Sequence, residues 1–271
     1  MPFYDTHFHV FTNTLPMVAD RRYAPAYEAT PDMHQKLSQA AGLTSGILIQ
    51  PSFLGTDNSY MLTAIKARPQ ALCGVAVVAP TASPEELAAL KAGGIVGIRF
   101  NLIGKAIPDF SAPVYQTLFS RVRELGWHVE IHRNAKDFPA FLPVLMDAGV
   151  RVVIDHFGLP DPRAPFADPG FEYLLGLGGN GRIWVKISAP YRTRKANMGL
   201  DFAREAAPRL IESFGPGNIL WGSDWPHTRF EDVVDYPAVC AAFKSYVPQR
   251  KVREAILEDA PRRLMACQNN K

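Results

Sequence analysis

The chain has 271 residues, 47% of them hydrophobic, and 29 Lys and Arg against 26 Asp and Glu leave a net charge of +3. So even a balance, with no run of like charge, argues against a nucleic-acid partner or a membrane surface and leaves small molecules as the expected partners. Cys73, Cys240 and Cys267 are odd in number and far apart, without C-x-x-C spacing, which suggests neither a disulfide framework nor a thiolate zinc site, and no apolar stretch approaches the roughly 18 residues of a membrane span, so a cytoplasmic location is expected.

In chain order, short apolar runs read as strands over Phe3 to His9, Gly46 to Ser52, Leu72 to Ala79, Val96 to Asn101, His128 to His132, Val152 to His156, Ile183 to Ser188 and Ile219 to Asp224. Runs such as Gly46-Ile47-Leu48-Ile49 are continuously apolar instead of alternating, as parallel strands covered by helices are. Helix starts lie between them. Thr30-Pro31-Asp32 offers a cap and a first-turn proline, and Ser83-Pro84-Glu85-Glu86 adds a capping-box glutamate. Gly126 and Gly149 stand where left-handed residues stop helices, and Phe157 to Gly170, rich in proline, reads as a long loop. The pattern predicts a (β/α)8 TIM barrel forming a single domain over 1–271, with a doubly wound open sheet as the lesser alternative. Helices after Pro237 and Pro248 could cap the barrel bottom or make a dimer contact; the residues do not distinguish the two.

Barrels of this kind place their chemistry at the C-terminal ends of the strands. There the chain sets His7 and His9, Gln50 and Ser52, Arg99 and Asn101, His132, Asp155 and His156, Lys186 and Ser188, and Ser223 and Asp224. A buried polar group without a partner costs about 1–3 kcal/mol, so packing alone does not account for so many, and a shared polar cavity does. His7 and His9, spaced i, i+2, point the same way along a strand and suit a metal or a polarised substrate. Arg99 and Arg192 could each grip a carboxylate, with Ser52 as a hydrogen-bond donor, so an anionic small molecule is the expected substrate. His34 is expected on a surface helix, His128 at the wrong end of its strand and His227 in a loop.

Asp5-Thr6-His7-Phe8-His9, Val153-Ile154-Asp155-His156-Phe157-Gly158 and Trp221-Gly222-Ser223-Asp224-Trp225-Pro226-His227 resemble the amidohydrolase superfamily. Gln50-Pro51-Ser52 with Gly55-Thr56-Asp57-Asn58, and Gly97-Ile98-Arg99-Phe100-Asn101, resemble its lactonase branch, typified by 2-pyrone-4,6-dicarboxylate lactonase. The resemblance implies a hydrolase in which Asp224 takes a proton from water, His7, His9 and His156 polarise a carbonyl, and a carboxylated lactone opens. Asp224 alone could also be read as a turn cap.

Three positions depart from that branch. Leu159 stands where it would carry an arginine, Lys105 replaces another, and His132 replaces an aromatic hydroxyl residue. The first two suit a substrate with one carboxylate or a sugar-acid lactone as well as a dicarboxylate. The third implies that His7, His9, His132 and Asp224 could hold one Zn2+ or Mn2+, so the expectation is no metal or one divalent ion. A mononuclear metal-dependent decarboxylase of the same superfamily is the nearest alternative. A non-catalytic acid-binding barrel is the alternative from another class.

Overall fold

A computed structural model describes residues 2–266, so Cys267 lies outside the described residues. Eight parallel strands lie side by side in chain order: β1 (Tyr4–Phe8), β2 (Ser45–Ile49), β3 (Leu72–Ala76), β4 (Ile95–Asn101), β5 (His128–His132), β6 (Arg151–Ile154), β7 (Ile183–Lys186) and β8 (Ile219–Leu220). The connecting helices are α1 (Pro31–Ala40), α2 (Ser59–Ala67), α3 (Pro84–Ala92), α4 (Pro113–Glu124), α5 (Phe138–Asp147), α6 (Pro169–Gly176), α7 (Leu200–Phe214) and α8 (Tyr236–Tyr246). This is the (β/α)8 barrel the strand pattern predicts.

Local chemistry explains the helix ends. Ser83 Oγ accepts from Glu86 N–H at 3.2 Å while Glu86 accepts from Ser83 N–H at 3.4 Å, and Thr30 accepts from Met33 N–H at 3.4 Å. Gly126 and Gly149, with φ of 72° and 75°, follow α4 and α5 as stops.

The eighth strand is shorter than its sequence suggests. Regular pairing covers Ile219–Leu220, yet the chain from Trp221 to Trp225 still seals the barrel against β1. Thr6 N–H donates to Trp221 O at 3.1 Å, Asp224 N–H to His7 O at 2.7 Å, and His9 N–H to Trp225 O at 2.8 Å. Asp224 itself sits at φ 60°, which bends the strand and turns its side chain inward.

Below, the chain after Pro248 forms α9 (Arg250–Glu254), a wider π-type turn (Ala255–Asp259) and α10 (Ala260–Ala266). Ala260 and Leu264 pack on Val153, Trp184 and Leu220, and Met265 reaches Cys73 and the Ile47–Ile49 strand, so this segment caps the barrel bottom. None of the described helices is long and apolar enough to cross a membrane. The surface position expected for His34 is wrong: its ring stacks on Phe8 at 3.5 Å and Nε2 lies 3.0 Å from Asp5 Oδ2. The inward face of α1 presents His34 and Ser38, a polar stripe that hydropathy reads as outward.

Gly222 marks the closest approach at the seam, where an added Cβ would lie 2.3 Å from His7 N. Replacing Gly222 with Ala should therefore push β1 and the last strand apart and cost about 3 kcal/mol, read as a lowered urea midpoint at unchanged slope.

Candidate active site

The barrel interior carries a layer of charge above its apolar floor. Side chains two apart on a strand share a face, so His128, Glu130 and His132 of β5 all point inward, as do Trp184 and Lys186 of β7. Glu130 lies beside Arg99 in the β4–β5 register. Lys186 Nζ forms a short ion pair with Glu130 Oε2, lies 3.4 Å from Asp155 Oδ1 and 3.0 Å from His7 Nδ1. Arg99 donates to Asp155 Oδ2 through Nε at 3.3 Å and Nη2 at 2.9 Å, and Nη2 also donates to His132 Nδ1 at 3.2 Å. All of these groups are buried.

Asp224 stands above that layer. Its Oδ2 accepts from Arg192 Nε and from Tyr191 OH, both at 2.6 Å. Its Oδ1 has no hydrogen-bond partner and faces Nε2 of His7, His156 and His9 at 3.7, 3.7 and 3.9 Å. His9 Nδ1 meets Ile49 O at 2.7 Å, and His156 Nδ1 meets Ser188 Oγ at 3.0 Å.

Burial by itself would raise the Asp224 carboxyl, but the Arg192 guanidinium and the dipoles of His156 and His7 hold it well below the usual carboxylate range. Burial pushes His7 down to about 4, aided by Lys186, and His9 down to about 3. His132 and His156 lie well below 6.5 for the same reason, with Arg99 beside the former. Glu130 rises to about 7 through burial and the adjacent Asp155. At neutral pH the site is thus an ionised carboxylate among neutral imidazoles.

A cavity of about 360 Å³ opens onto these groups, and His9, Ser52, Arg99, His132, His156, Arg192 and Asp224 all line it. The structure therefore brings the sequence-selected residues to one place, with three adjustments. Arg99 and Arg192 turn guanidinium edges towards Asp155 and Asp224, so neither fork is wholly free for a ligand. Lys105 points away to Asp20 at 3.3 Å on the surface. His227 is buried behind Tyr191, with Nδ1 3.2 Å from its hydroxyl.

Sequence reading missed Glu130, Arg22 and Arg229. Glu130 was detectable as a charge alternating with His128 and His132. Arg22 and Arg229 come from loops, and both line the cavity mouth with Lys195. The Arg229 guanidinium joins no ion pair among the described residues, while burial and the nearby Arg229, Arg99 and Arg192 push Arg22 down. Such a mouth draws anions.

Two groups of described residues could hold a metal ion: His7, His9 and Asp224, and His7, Asp155 and His156. Four ligands around a tetrahedral Zn2+ stand about 3.4 Å apart, near the 3.7–3.9 Å between Asp224 Oδ1 and the imidazoles, so the spacing fits one ion. His132, drawn to Arg99, is in neither group, so the expected four-ligand set with His132 is not assembled.

The neutral histidines set a pH dependence. In the unfolded chain each binds a proton from about pH 6.5 downward, whereas folded His7 and His9 stay neutral until about 4 and 3, so the unfolded state binds more protons in between. Glu130, which holds its proton up to about 7 in the fold, works the other way and offsets one histidine's share, but His7, His9, His132 and His156 outnumber it, so unfolding free energy should fall from about pH 6.5 towards 4, by up to roughly 1.4 kcal/mol per pH unit for each uncompensated histidine, as measured by urea titrations at stepped pH.

Residues 4–265 match the family model described as Amidohydrolase. A 2-pyrone-4,6-dicarboxylate hydrolase of Comamonas testosteroni is 30% identical, across 96% of this chain and 88% of that protein. A 4-sulfomuconolactone hydrolase of Hydrogenophaga intermedia is 29% identical over the same shares, 96% and 88%. Among solved structures, a probable 2-pyrone-4,6-dicarboxylic acid hydrolase of Acinetobacter baumannii with citric acid bound is 38% identical, at a TM-score of 0.95 over 98% of this chain and 100% of that one. With His7 on β1 and His9 just past its end, its Asp-His after β6 and its aspartate after β8, the chain belongs to the amidohydrolase family.

Proposed function

We propose that this chain is a hydrolase that opens a small carboxylated lactone by attack of an activated water, the whole barrel acting as one catalytic unit. The carrying observation is Asp224: one oxygen is clamped by Arg192 and Tyr191, and the other is ionised, without a partner and turned towards the imidazoles. A carboxylate so held is a base with one open acceptor site. Water beside Oδ1 adds to the lactone carbonyl carbon while its proton passes to Asp224. The carbonyl oxygen becomes an oxyanion among His7, His132 and His156. Collapse re-forms the carbonyl, breaks the ring C–O bond, and the departing oxygen takes the proton from Asp224, giving a ring-opened acid.

Arg192 and Tyr191 orient the base, and Arg192 keeps it ionised. Ser52, Arg22, Arg229 and Lys195 face the substrate's anionic groups. A Zn2+ or Mn2+ held by His7, His9 and Asp224 would supply Lewis-acid polarisation of the same carbonyl. The names of the relatives support a lactone, and the citric acid in the Acinetobacter structure supports a site for carboxylates. The unpaired Cys73 and Cys240 agree with a reducing, cytoplasmic setting.

The test is turnover of a panel holding 2-pyrone-4,6-dicarboxylate, muconolactones and sugar-acid lactones, with ring opening followed by NMR. At least one carboxylated lactone should open, and Asp224→Asn should lower kcat/KM about 10³-fold with the fold intact. Arg229→Ala should raise KM about tenfold for an anionic substrate and leave kcat nearly unchanged. Anion binding with every lactone left whole would point to an acid-binding barrel, and carbon dioxide release would point to a decarboxylase.

A further inference from the structure

The ring nitrogens of the two histidines in His7-Phe8-His9 meet opposite kinds of partner. His9 Nδ1 lies 2.7 Å from Ile49 O, an atom that only accepts, so Nδ1 carries the proton and Nε2 keeps a lone pair. His7 Nδ1 lies 3.0 Å from Lys186 Nζ. Glu130 Oε2 and Asp155 Oδ1 flank that nitrogen and hold it as an ammonium, which has three donors and no lone pair. His7 Nδ1 must then accept, and the single proton of the neutral ring sits on Nε2. Asp155 Oδ1, 3.3 Å from Nδ1, has no hydrogen bond, as this assignment requires. Arg99 Nη2 treats His132 Nδ1 likewise at 3.2 Å, so His132 also presents an Nε2–H.

We infer that Lys186 is a positioning residue that makes His7 a hydrogen-bond donor while His9 remains an acceptor, so that one motif serves both partners of the reaction. The assignment of partners rests on the lactonase reading. His7 and His132 donate to the carbonyl oxygen as it gains charge. His9 Nε2 and Asp224 Oδ1 stand 3.9 Å apart, a gap that one water spans with two hydrogen bonds of about 2.8 Å. They accept hydrogen bonds from the two O–H groups of the attacking water and aim its lone pair at the carbonyl carbon, and the proton on the Asp224 side is the one transferred. The same contact bears on metal binding: His7 offers an ion its Nε2 lone pair only when Lys186 releases Nδ1.

The test is a long-range proton–nitrogen NMR correlation on the full chain labelled with ¹⁵N-histidine, near pH 7, with ring signals assigned through His7→Gln and His9→Gln. His7 should appear as the Nε2–H tautomer and His9 as the Nδ1–H tautomer. One tautomer shared by both, or the reverse pair, would overturn the inference. Lys186→Met should shift His7 towards Nδ1–H and lower kcat tenfold or more with KM within twofold. Lys186→Gln, whose amide still donates, should keep the Nε2–H form. A folded Lys186→Met with an unchanged His7 signal or undiminished kcat would also overturn it. Should Lys186→Met fail to fold, the wild-type and Lys186→Gln spectra decide. Because the spectra need no turnover, inactivity on every lactone would count against the functional reading and leave the tautomer result standing.

Discussion

Taking a carboxylate out of water costs several kcal/mol unless a cation and well-placed donors replace the solvent. The upper half of this barrel does so three times, pairing Glu130, Asp155 and Asp224 with Lys186, Arg99 and Arg192 in the space of a few side chains. That mutual neutralisation is what the remaining geometry serves. With every permanent charge answered, the imidazoles between them have no reason to ionise, and burial keeps them neutral. Glu130 Oε1, Asp155 Oδ1 and Asp224 Oδ1 each keep an unused acceptor site, and of these three residues only Asp224 lines the cavity.

A second carboxylate supports the first from outside the cavity. Asp5 Oδ1 accepts from Ser223 N–H at 2.8 Å, and its Oδ2 accepts from Ser223 Oγ at 2.6 Å and from Tyr236 OH at 3.1 Å, with His34 alongside. Asp5 thus ties the first strand, α1, α8 and the residue before Asp224 into one knot. A left-handed aspartate is an uncommon backbone state, and it persists here because both flanking peptides are fixed. Asp5 is not among the residues that line the cavity, yet it determines where the Asp224 carboxylate can stand.

The barrel was legible because its strands are apolar, regularly spaced and closed by capped helices. The site was legible because chemistry at strand ends is a property of the topology, and His7, His9, His156 and Asp224 obeyed it. What escaped notice did so for physical reasons. His34 hides on a polar helix face whose partner, Asp5, is distant in sequence but adjacent in space. Arg22 and Arg229 lie in loops, where no periodicity says which way a side chain turns. Arg99 and Arg192 were expected to face a ligand, but sequence cannot tell an arginine that holds a ligand from one that holds a buried carboxylate. Lys105 looked like a substrate residue until its ion pair with Asp20 placed it on the surface.

The two halves of the site come from opposite ends of the barrel's chain order. His7 lies on β1 with His9 just past its end, and Asp224 follows β8, so this carboxylate meets those two imidazoles only across the closing seam. Contacts that span such a sequence distance form late, after the loop between them has been ordered. During synthesis, a chain with seven strands in place would hold its layer of buried ion pairs and both motif histidines without the Asp224 carboxylate that they face. The appearance of a working site and the closure of the cylinder are therefore one event, and a nascent or nicked chain has no partial version of it to offer.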